Sequence, residues 1–591
     1  MTEKNNSAAL VRTLMFRLLP AQILLAAMNA INGIVSGYFA SNYVGLEAMS
    51  AVGLYGPVNM LLQALSTMLV GGSVILCGKY IGQNRRDRQR GTFTLALSVS
   101  LLLAVLFVAL FIALSLFDLT GIFTRDAQVR PVLNRYLLGQ AIGVIPLIAS
   151  NLLTSFLSME NKGKLVTAAS LAYIAVNIAL SFIFVRLMNL EAFGLSLAAS
   201  LGLWVFLAIE AAYFILRKTG LKIEYGQVNW KETLEIVKIG LPGAAANGYQ
   251  TLRGLIVNAL LTHYVGSQGI SAFAAANNLL SLFWAIPAGM LAVSRMLISV
   301  SVGEEDRQTL TDVMRTVLSR FVPVMCVVSA LLILCAAPIT RLYYRESAQQ
   351  VYTMTLHGVR LLPLAMPFAV VCMHFVCYGQ AMGKQGLVHV LSILDGVVCV
   401  SAFSALLMPF LGMDGVYAAN ILNGIVALLV IYLYARIKNG KIPRSMDELM
   451  VIPDSFGADA LDRMDISVSS MEQIVSISVK VQMFCQSRGI DKRRASLSGL
   501  ALEEMAGNIV EHGFTKGNRR KHSIDVRVIH RGETVLLRIK DDCAPFNPED
   551  FQKMTAHNDA AQNIGIRMIY AMAREVKYQN ILGLNVLTVI I

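Results

Sequence analysis

The sequence predicts a polytopic α-helical membrane protein, with twelve transmembrane helices in two six-helix repeats, followed by a C-terminal α+β two-layer sandwich. Successive apolar runs of membrane-crossing length continue to about Arg436, since a spanning helix needs roughly 20 apolar residues. The 591 residues are 55% hydrophobic and only 15% charged, which excludes an ordinary soluble enzyme of this size. From about Ile442 onward the pattern becomes that of a water-soluble domain.

The membrane body contains twelve candidate spans. Their centres lie near Leu25, Met60, Ala104, Pro146, Ile174, Phe206, Gly254, Phe283, Val327, Pro367, Val400 and Ala427. Lys and Arg concentrate before the first span and in the loops after the even-numbered spans, so the positive-inside rule predicts that both termini are cytoplasmic. This clustering accounts for the net charge of +13, and we therefore expect no nucleic-acid partner.

An internal repeat divides the body into two halves. Three pairs of segments align at one shift of 221 positions, and they begin at Gly45 and Gly266, Gly82 and Gly303, and Gly194 and Gly415. Such repeats typically enclose a central cavity and work by alternating access. The predicted divisions are two six-helix halves over 1–220 and 221–440, a linker over 441–460, and a soluble domain over 461–591.

Charged residues inside the apolar runs need a structural or functional reason, because each costs roughly 2.5 to 3.5 kcal/mol at the middle of a membrane. Asp395 is the best candidate for a titrating or cation-binding carboxylate. The alternative is a structural ion pair of Asp395 with Arg253 or Arg295. Glu210 lies two turns before Arg217, so we expect its side chain to reach a membrane interface.

The soluble domain carries candidate nucleotide-binding residues on its second predicted helix, which covers about 492–512. Glu504 and Asn508 are four residues apart and therefore lie on one helix face. The amide oxygen of Asn508 is a suitable ligand for Mg²⁺, and the carboxylate of Glu504 can orient or deprotonate an attacking hydroxyl or water. This spacing alone is a weak signal, because many surface helices contain it.

Two further segments strengthen the prediction of an ATP site. Asp541 ends a predicted strand, and its carboxylate can accept a hydrogen bond from the exocyclic amine of adenine. Asn563, Gly565 and Ile566 open a helix whose N-terminal amides can hold phosphate. The order and spacing of these segments together favour a site for ATP and Mg²⁺.

The membrane body resembles the multidrug and toxic compound extrusion (MATE) family. The resemblance rests on Pro20 and Pro242 in the first span of each half, on the Gly-rich turns, and on the polar loops after Gly82 and Gly303. It implies a bacterial cytoplasmic membrane protein that exports amphiphilic, often cationic, small molecules, driven by Na⁺ or H⁺. The wider superfamily includes lipid-linked precursor flippases, so a lipid-like substrate stays open.

The chain departs from this family at the positions linked to cation coupling. Many bacterial relatives carry an Asp in the first span and another in the fifth, where this sequence has Ser36 and Ser181. A hydroxyl does not take up a proton near neutral pH and is a weak Na⁺ ligand, so the family's usual coupling chemistry is not expected at these two positions. Asn177 keeps its place and offers a carbonyl oxygen.

The soluble domain resembles the GHKL ATPases, especially the anti-sigma-factor serine kinases of bacteria. The resemblance rests on the Asn box around Glu504 and Asn508, and it implies catalysis by Glu504 and Mg²⁺ binding by Asn508. Cys543 and Asn563 stand where the family has Gly, and we expect this departure to affect phosphoryl transfer more than ATP binding. The resemblance therefore leaves open an ATPase, a serine kinase, and a domain used only for docking.

Three functional hypotheses follow, of which the third is the lipid-precursor flippase of the wider superfamily. The first is a MATE-like antiporter whose cytoplasmic domain binds ATP and regulates transport. The second is a membrane-tethered, anti-sigma-like serine kinase, with an anti-sigma-antagonist-like protein as its partner and the helical body as its sensor. ATP is not expected to power transport directly, because the domain lacks a P-loop motif.

Overall fold

The computed structural model describes most of the chain. The described residues are 4–39, 43–44, 46–122, 126, 128–216, 221–341, 350–459, 461–468, 470–513, 524–543, 547–548 and 564–591. Gly45 of the predicted repeat and Asn563 of the predicted phosphate-binding turn lie outside them.

The first half consists of six long helical segments. These are α1 (Lys4–Phe39), α2 (Leu46–Gly82), α3 (Arg86–Leu116), α4 (Val129–Met159), α5 (Gly163–Ser181), which continues as a π-helical turn over Phe182–Leu187, and α6 (Glu191–Leu216). Such long helices are the expected solution in lipid, because every backbone polar group must be satisfied within the segment.

The second half repeats this order with more interruptions. Its elements are α7 (Glu232–Tyr264), α8 (Ser267–Ser281), α9 (Ala285–Gly303), α10 (Arg307–Thr316), α11 (Val322–Leu334), α12 (Ala336–Arg341), α13 (Gln350–Leu361), α14 (Met366–Met382), α15 (Gln385–Ile393), α16 (Cys399–Leu411) and α17 (Met413–Asn439). Joining α8 to α9, α10 to α11, α13 to α14 and α15 to α16 gives six long segments. The predicted total of twelve therefore fits the described residues.

Eleven of these segments are long and apolar enough to cross a membrane. The twelfth, α7, contains Glu235, Lys238 and Arg253 and is more polar. The centre predicted near Phe283 falls at the break between α8 and α9 rather than inside a helix.

The predicted repeat is confirmed in the helix boundaries. Helix α2 covers 46–82, while α8 and α9 together cover 267–303, which is the same length at the same shift of 221 positions. Helices α3 and α10 then begin at Arg86 and Arg307, again at that shift. The two halves are therefore two copies of one helical unit.

The two halves cross closely at the end of the body that carries the soluble domain, which we call the domain-proximal end. A Cβ atom on Gly82 would overlap the carbonyl oxygen of Val300 and lie 2.5 Å from the backbone nitrogen of Glu304. A Cβ on Gly303 would overlap the carbonyl oxygen of Lys79. The backbones of α2 and α9 therefore touch, which closes this end of the body.

Packing is looser toward the opposite end. Gly33 and Gly254 are equivalent in the repeat, and a Cβ on either would meet no heavy atom of the described residues within 4 Å. Beside them, Ile34 and Leu255 are 56% and 64% exposed. The space beside Gly33 and Gly254 is thus open, in contrast to the close crossing of α2 and α9.

The soluble domain is a two-layer α+β sandwich. A short helix, α18 (Met446–Met450), precedes it, and its elements are β1 (Arg463–Val468), α19 (Met471–Ser487), α20 (Lys492–Asn508), β2 (Ile524–Arg531), β3 (Thr534–Asp541), α21 (Ile564–Met572), β4 (Glu575–Ile581) and β5 (Leu584–Ile590). The antiparallel sheet has the order β1-β2-β3-β5-β4. Apolar residues of α19 and α20 pack with one face of the sheet to form a separate core.

The segment predicted as a linker packs against the membrane body. Asp447 of α18 lies 3.6 Å from Arg307, and the Lys384 ammonium donates to the carbonyl oxygen of Met450 at 2.8 Å. Met450 and Ile452 belong to the hydrophobic core of the body. The segment that joins the soluble domain to the membrane body is therefore packed against the body.

We predict that Gly303→Ala destabilises the body by about 1 to 3 kcal/mol, because the added methyl group would force α2 and α9 apart. Gly254→Ala is the matched control, since the space beside Gly254 is open and the change is expected to stay within about 1 kcal/mol. Thermal unfolding of both variants in the same detergent provides the measurement. Equal unfolding midpoints would contradict the close crossing.

Candidate functional site

In the first half, a cluster of neutral polar side chains lies at the positions that the MATE resemblance links to cation coupling. The amide nitrogen of Asn177 donates to the side-chain oxygen of Asn32 at 2.9 Å, and the Ser181 hydroxyl lies 3.4 Å from the Asn177 oxygen. Ser36 is buried on α1, one turn after Asn32. The structure brings Asn177 and Ser181 together, adds Asn32, and places Ser36 one helical turn from Asn32, a four-residue spacing that the sequence could have revealed.

The corresponding cluster of the second half contains a carboxylate. Asp395 lies in a π-helical turn between α15 and α16, and its Oδ1 accepts a hydrogen bond from Asn423 at 2.8 Å. Arg253 donates to the backbone oxygen of Asp395 at 3.4 Å rather than to its carboxylate. Arg295 packs beside Gly71, within 3.6 Å of a Cβ placed there. Among the described contacts, the carboxylate is therefore held by an amide.

Glu210 is a buried carboxyl group in the first half. The expectation that it reaches a membrane interface is wrong, because its exposed fraction is 0%. One oxygen accepts a hydrogen bond from Thr154 of α4, and the other has no hydrogen-bond partner among the described residues. Near Thr154, Gln22 of α1 donates to Ser158 at 2.7 Å. The packing of α6 against α4 decides this burial, and the sequence near Glu210 does not reveal it.

Glu504 and Asn508 lie on α20, as predicted. The amide nitrogen of Asn508 donates to the backbone oxygen of Glu504 at 2.7 Å, which is a bond within the helix. This bond uses the nitrogen and leaves the side-chain oxygen of Asn508 outside it. That oxygen is the atom that would ligate Mg²⁺.

The first turn of α21 packs directly on Glu504. A Cβ on Gly565 would overlap one carboxylate oxygen of Glu504 and lie 2.7 Å from the other. Glycine at this position therefore lets the start of α21 lie directly against the Glu504 side chain of the Asn-box helix. The Ile566 side chain is buried in the domain core, so only its backbone could contact a nucleotide.

Asp541 is buried at the end of β3 on the same face of the sheet as α20. Its Oδ1 accepts hydrogen bonds from Asn585 at 2.8 Å and from the backbone nitrogen of Cys543 at 2.9 Å. Burial raises the pKa of Asp541, although these hydrogen bonds act in the opposite direction. Asn585 is a polar residue on the largely apolar strand β5, and sequence reasoning missed it.

Cys543 stands at a position where the resemblance expects glycine. Its φ angle is not positive, so the turn accepts a side chain there. Burial, followed by the nearby Asp541, raises the pKa of the Cys543 thiol to about 12. The thiol is thus neutral at physiological pH, and it acts as a packing group in the turn.

Comparison with known proteins identifies the body. Residues 20–183 and 242–406 match the model of the MatE family, one match in each half. Together these stretches make up more than half of the chain. The chain belongs to the MatE family.

Curated relatives of this MatE protein include the "Probable multidrug resistance protein NorM" of Bacillus subtilis. It is 26% identical over 320 residues, which are 52% of this chain and 68% of the relative. The protein of that name from Streptococcus pneumoniae is 24% identical over 40% of this chain and 53% of its own length.

Solved structures and a second family model agree with the fold. The MatE protein matches a structure described as an outward-facing conformation of a multidrug resistance MATE family transporter, with a TM-score of 0.68 and 20% identity, over 74% of this chain and 97% of the other. A MATE structure in the straight conformation matches with a TM-score of 0.67 and 21% identity, over 73% and 96%. Residues 468–591 match the histidine kinase-like ATPase domain.

We predict that Gly565→Ala weakens ATP binding at least tenfold, because the methyl group crowds the contact with Glu504 and shifts the first turn of α21, whose amides would face the phosphates. Gly507→Ala is the matched control on α20, since a Cβ there makes only an ordinary contact, 3.6 Å from Met471. Binding of a fluorescent ATP analogue to the full chain in detergent, with Mg²⁺, provides the measurement. Equal affinity of the two variants would place the nucleotide elsewhere.

Proposed function

We propose that this MatE protein is a secondary exporter of amphiphilic, often cationic, small molecules, with an ATP-binding domain that regulates it. The observation that carries the proposal is a two-repeat transport body closed at the end where an ATPase-like domain lies. The relatives named as multidrug resistance proteins support the class of substrate.

The domain-proximal end faces the cytoplasm in this proposal, in a bacterial cytoplasmic membrane. The cationic loops after Gly82 and before α7 lie at this end, as the positive-inside rule requires. The soluble domain then lies where ATP is available. Both termini are cytoplasmic in this orientation.

Asn508, Asp541 and Gly565 are the residues that would hold ATP, and Glu504 would serve as the general base beside them. Three observations support this assignment. Glu504 and Asn508 share one face of α20, the start of α21 lies close to them because Gly565 has no side chain, and the carboxylate of Asp541 is buried at the end of β3. Asn508 would ligate Mg²⁺, Asp541 would accept the adenine amine, and the first amides of α21 would face the phosphates. Bound ATP would supply a transferable phosphoryl group and a strong local negative charge.

The coupling ion, Na⁺ or H⁺, acts in this proposal through the second half. The Asn32, Asn177, Ser36 and Ser181 cluster contains neutral groups and cannot titrate near neutral pH. Asp395, held by Asn423 with Arg253 beside its backbone, is the group that would bind a cation or a proton. A single carboxylate in a polar intramembrane site is a typical coupling element.

A second candidate function is a serine kinase that acts on an anti-sigma-antagonist-like protein. The close contact between Gly565 and the carboxylate of Glu504 favours it, because this contact places a candidate general base beside the expected phosphate site. In this case the helical body would act as a sensor.

We predict that Asp395→Asn abolishes ion-driven drug efflux, because the amide removes the charge that exchanges with the cation. Ser36→Ala is the matched control in the first half, and it should retain at least half of the flux. Both are measured as accumulation of a fluorescent cationic dye in energised inverted vesicles, with a Na⁺ or a H⁺ gradient applied separately. Full efflux by Asp395→Asn would exclude Asp395 as the coupling residue.

We predict that Glu504→Ala leaves dye flux within a factor of a few of the native protein while ATP still binds. The reason is that the ion gradient, and not phosphoryl transfer, drives the substrate. Flux and transfer of γ-phosphate to cytoplasmic proteins are measured in the same vesicles. Phosphorylation that disappears in Glu504→Ala, from a protein without measurable flux, would favour the kinase and exclude the exporter.

A further inference from the structure

The sheet of the ATPase-like domain contacts the membrane body through the face opposite its helices. Side chains alternate along the strands, so Arg527, Arg538, Lys540 and Gln579 lie on this body-facing face, while Ile539 and Asp541 lie toward α20. The body-facing face is therefore charged, and the helix-facing one is apolar.

One part of this face binds the loop of the second half that follows α9. The Arg527 guanidinium lies 2.5 Å from the Asp306 carboxylate, and the Lys540 ammonium lies 2.5 Å from the Glu304 carboxylate. The Asp306 and Glu304 side chains are only 2% and 3% exposed, and those of Arg527 and Lys540 are 12% and 15% exposed. Breaking these contacts would leave buried charges without partners, which is strongly unfavourable.

Another part of the sheet binds the equivalent loop of the first half. The Gln579 side chain donates to Asn84, and Arg86 donates to the backbone oxygen of Tyr578 on β4. Beside them, the backbone nitrogen of Leu582 donates to the carbonyl oxygen of Met159 at 3.0 Å. One sheet therefore holds both halves of the body.

These two loops directly follow the glycines at which the halves cross. Asn84 lies two residues after Gly82, and Glu305 lies two residues after Gly303. We propose that the body-facing face of the sheet is a clamp that holds the domain-proximal gate, formed by the ends of α2 and α9, closed. The proposal rests on the transport function above, because an alternating-access cycle requires this gate to open.

The clamp is connected to the candidate nucleotide site by neighbouring residues in β3 and by a short chain of hydrogen bonds. Lys540, which binds Glu304, is the neighbour of Asp541 in β3. On the other side, Asp541 is bonded to Asn585, and the Asn585 oxygen accepts a hydrogen bond from the Tyr578 hydroxyl at 2.7 Å. A nucleotide that moves the end of β3 therefore acts on both loops.

Protonation of Asp306 does not release this clamp in the physiological range. Burial alone would raise the pKa of Asp306, but Arg527 and then Lys540 lower it well below its ordinary range. Asp306 thus stays ionised above its ordinary pKa, and its contribution is lost only in stronger acid. The neighbouring Asp525 on β2 faces the same cluster, and burial raises its pKa.

Hydrogen exchange of the full chain in nanodiscs tests the clamp directly. The double variant Arg527→Glu with Lys540→Glu reverses two charges of the sheet, and Lys492→Glu with Arg493→Glu makes the same charge change at exposed positions of α20. We expect at least tenfold faster amide exchange at the ends of α2 and α9 in the first variant only. Asp306 is left unchanged, because its side chain also caps α10 through Thr309.

A second variant separates release from misfolding. Glu304→Gln weakens the contact from the side of the body and leaves the domain sequence intact, so it should also accelerate exchange at both helix ends, by a smaller factor. The clamp would be overturned if the loop after Gly303 exchanges faster in these variants while the ends of α2 and α9 exchange at the native rate. The measurement needs no substrate or gradient, so a wrong assignment of transport leaves its result readable.

Discussion

The close crossing of α2 and α9 is the constraint on which the rest of the structure depends. Because neither Gly82 nor Gly303 has room for a Cβ atom, the two backbones touch and both following loops emerge side by side. The sheet contacts one loop from β2 and β3 and the other from β4, which are at most three strand spacings apart. At about 4.8 Å per spacing, this is a reach of about 14 Å. Bulkier residues at the crossing would push the two helices apart and shift the loops that the sheet contacts.

The charges at this contact determine its position more than its strength. Removing Arg527, Lys540, Glu304 and Asp306 from water costs nearly as much free energy as their pairing returns, so ion pairs of this kind favour one geometry over others. Apolar burial supplies the attraction, since Leu582 and its neighbours in the turn between β4 and β5 join the hydrophobic core of the body. The ion pairs therefore determine the orientation of the domain on the body, and apolar burial supplies the binding free energy.

The sequence predicts the features that repeat or alternate within short stretches. The apolar spans and helix α20 with Glu504 and Asn508 depend on local periodicity, and the shift of 221 positions depends on the similarity of the two halves. The helix boundaries agree with each, apart from the span centre near Phe283. The sequence does not predict the burial of Glu210 or the bond from Asn585 to Asp541, because these depend on which distant elements pack together. The sequence shows the charged face of the sheet, because charged and apolar residues alternate in β2 and β3. It does not show which surface of the membrane body this face contacts.

The candidate nucleotide site is placed to regulate the opening of the gate and not to supply the energy for transport. A ligand shifts a conformational equilibrium only by the difference in its affinity for the two states. For coupled sites this difference is typically about 1 to 3 kcal/mol, or roughly 5-fold to 150-fold. Such a shift, transmitted through the end of β3, is enough to change how often a clamped gate opens. It gives no direction to substrate movement, because the gate opens equally for entry and exit, and the direction must therefore come from an ion gradient across the body.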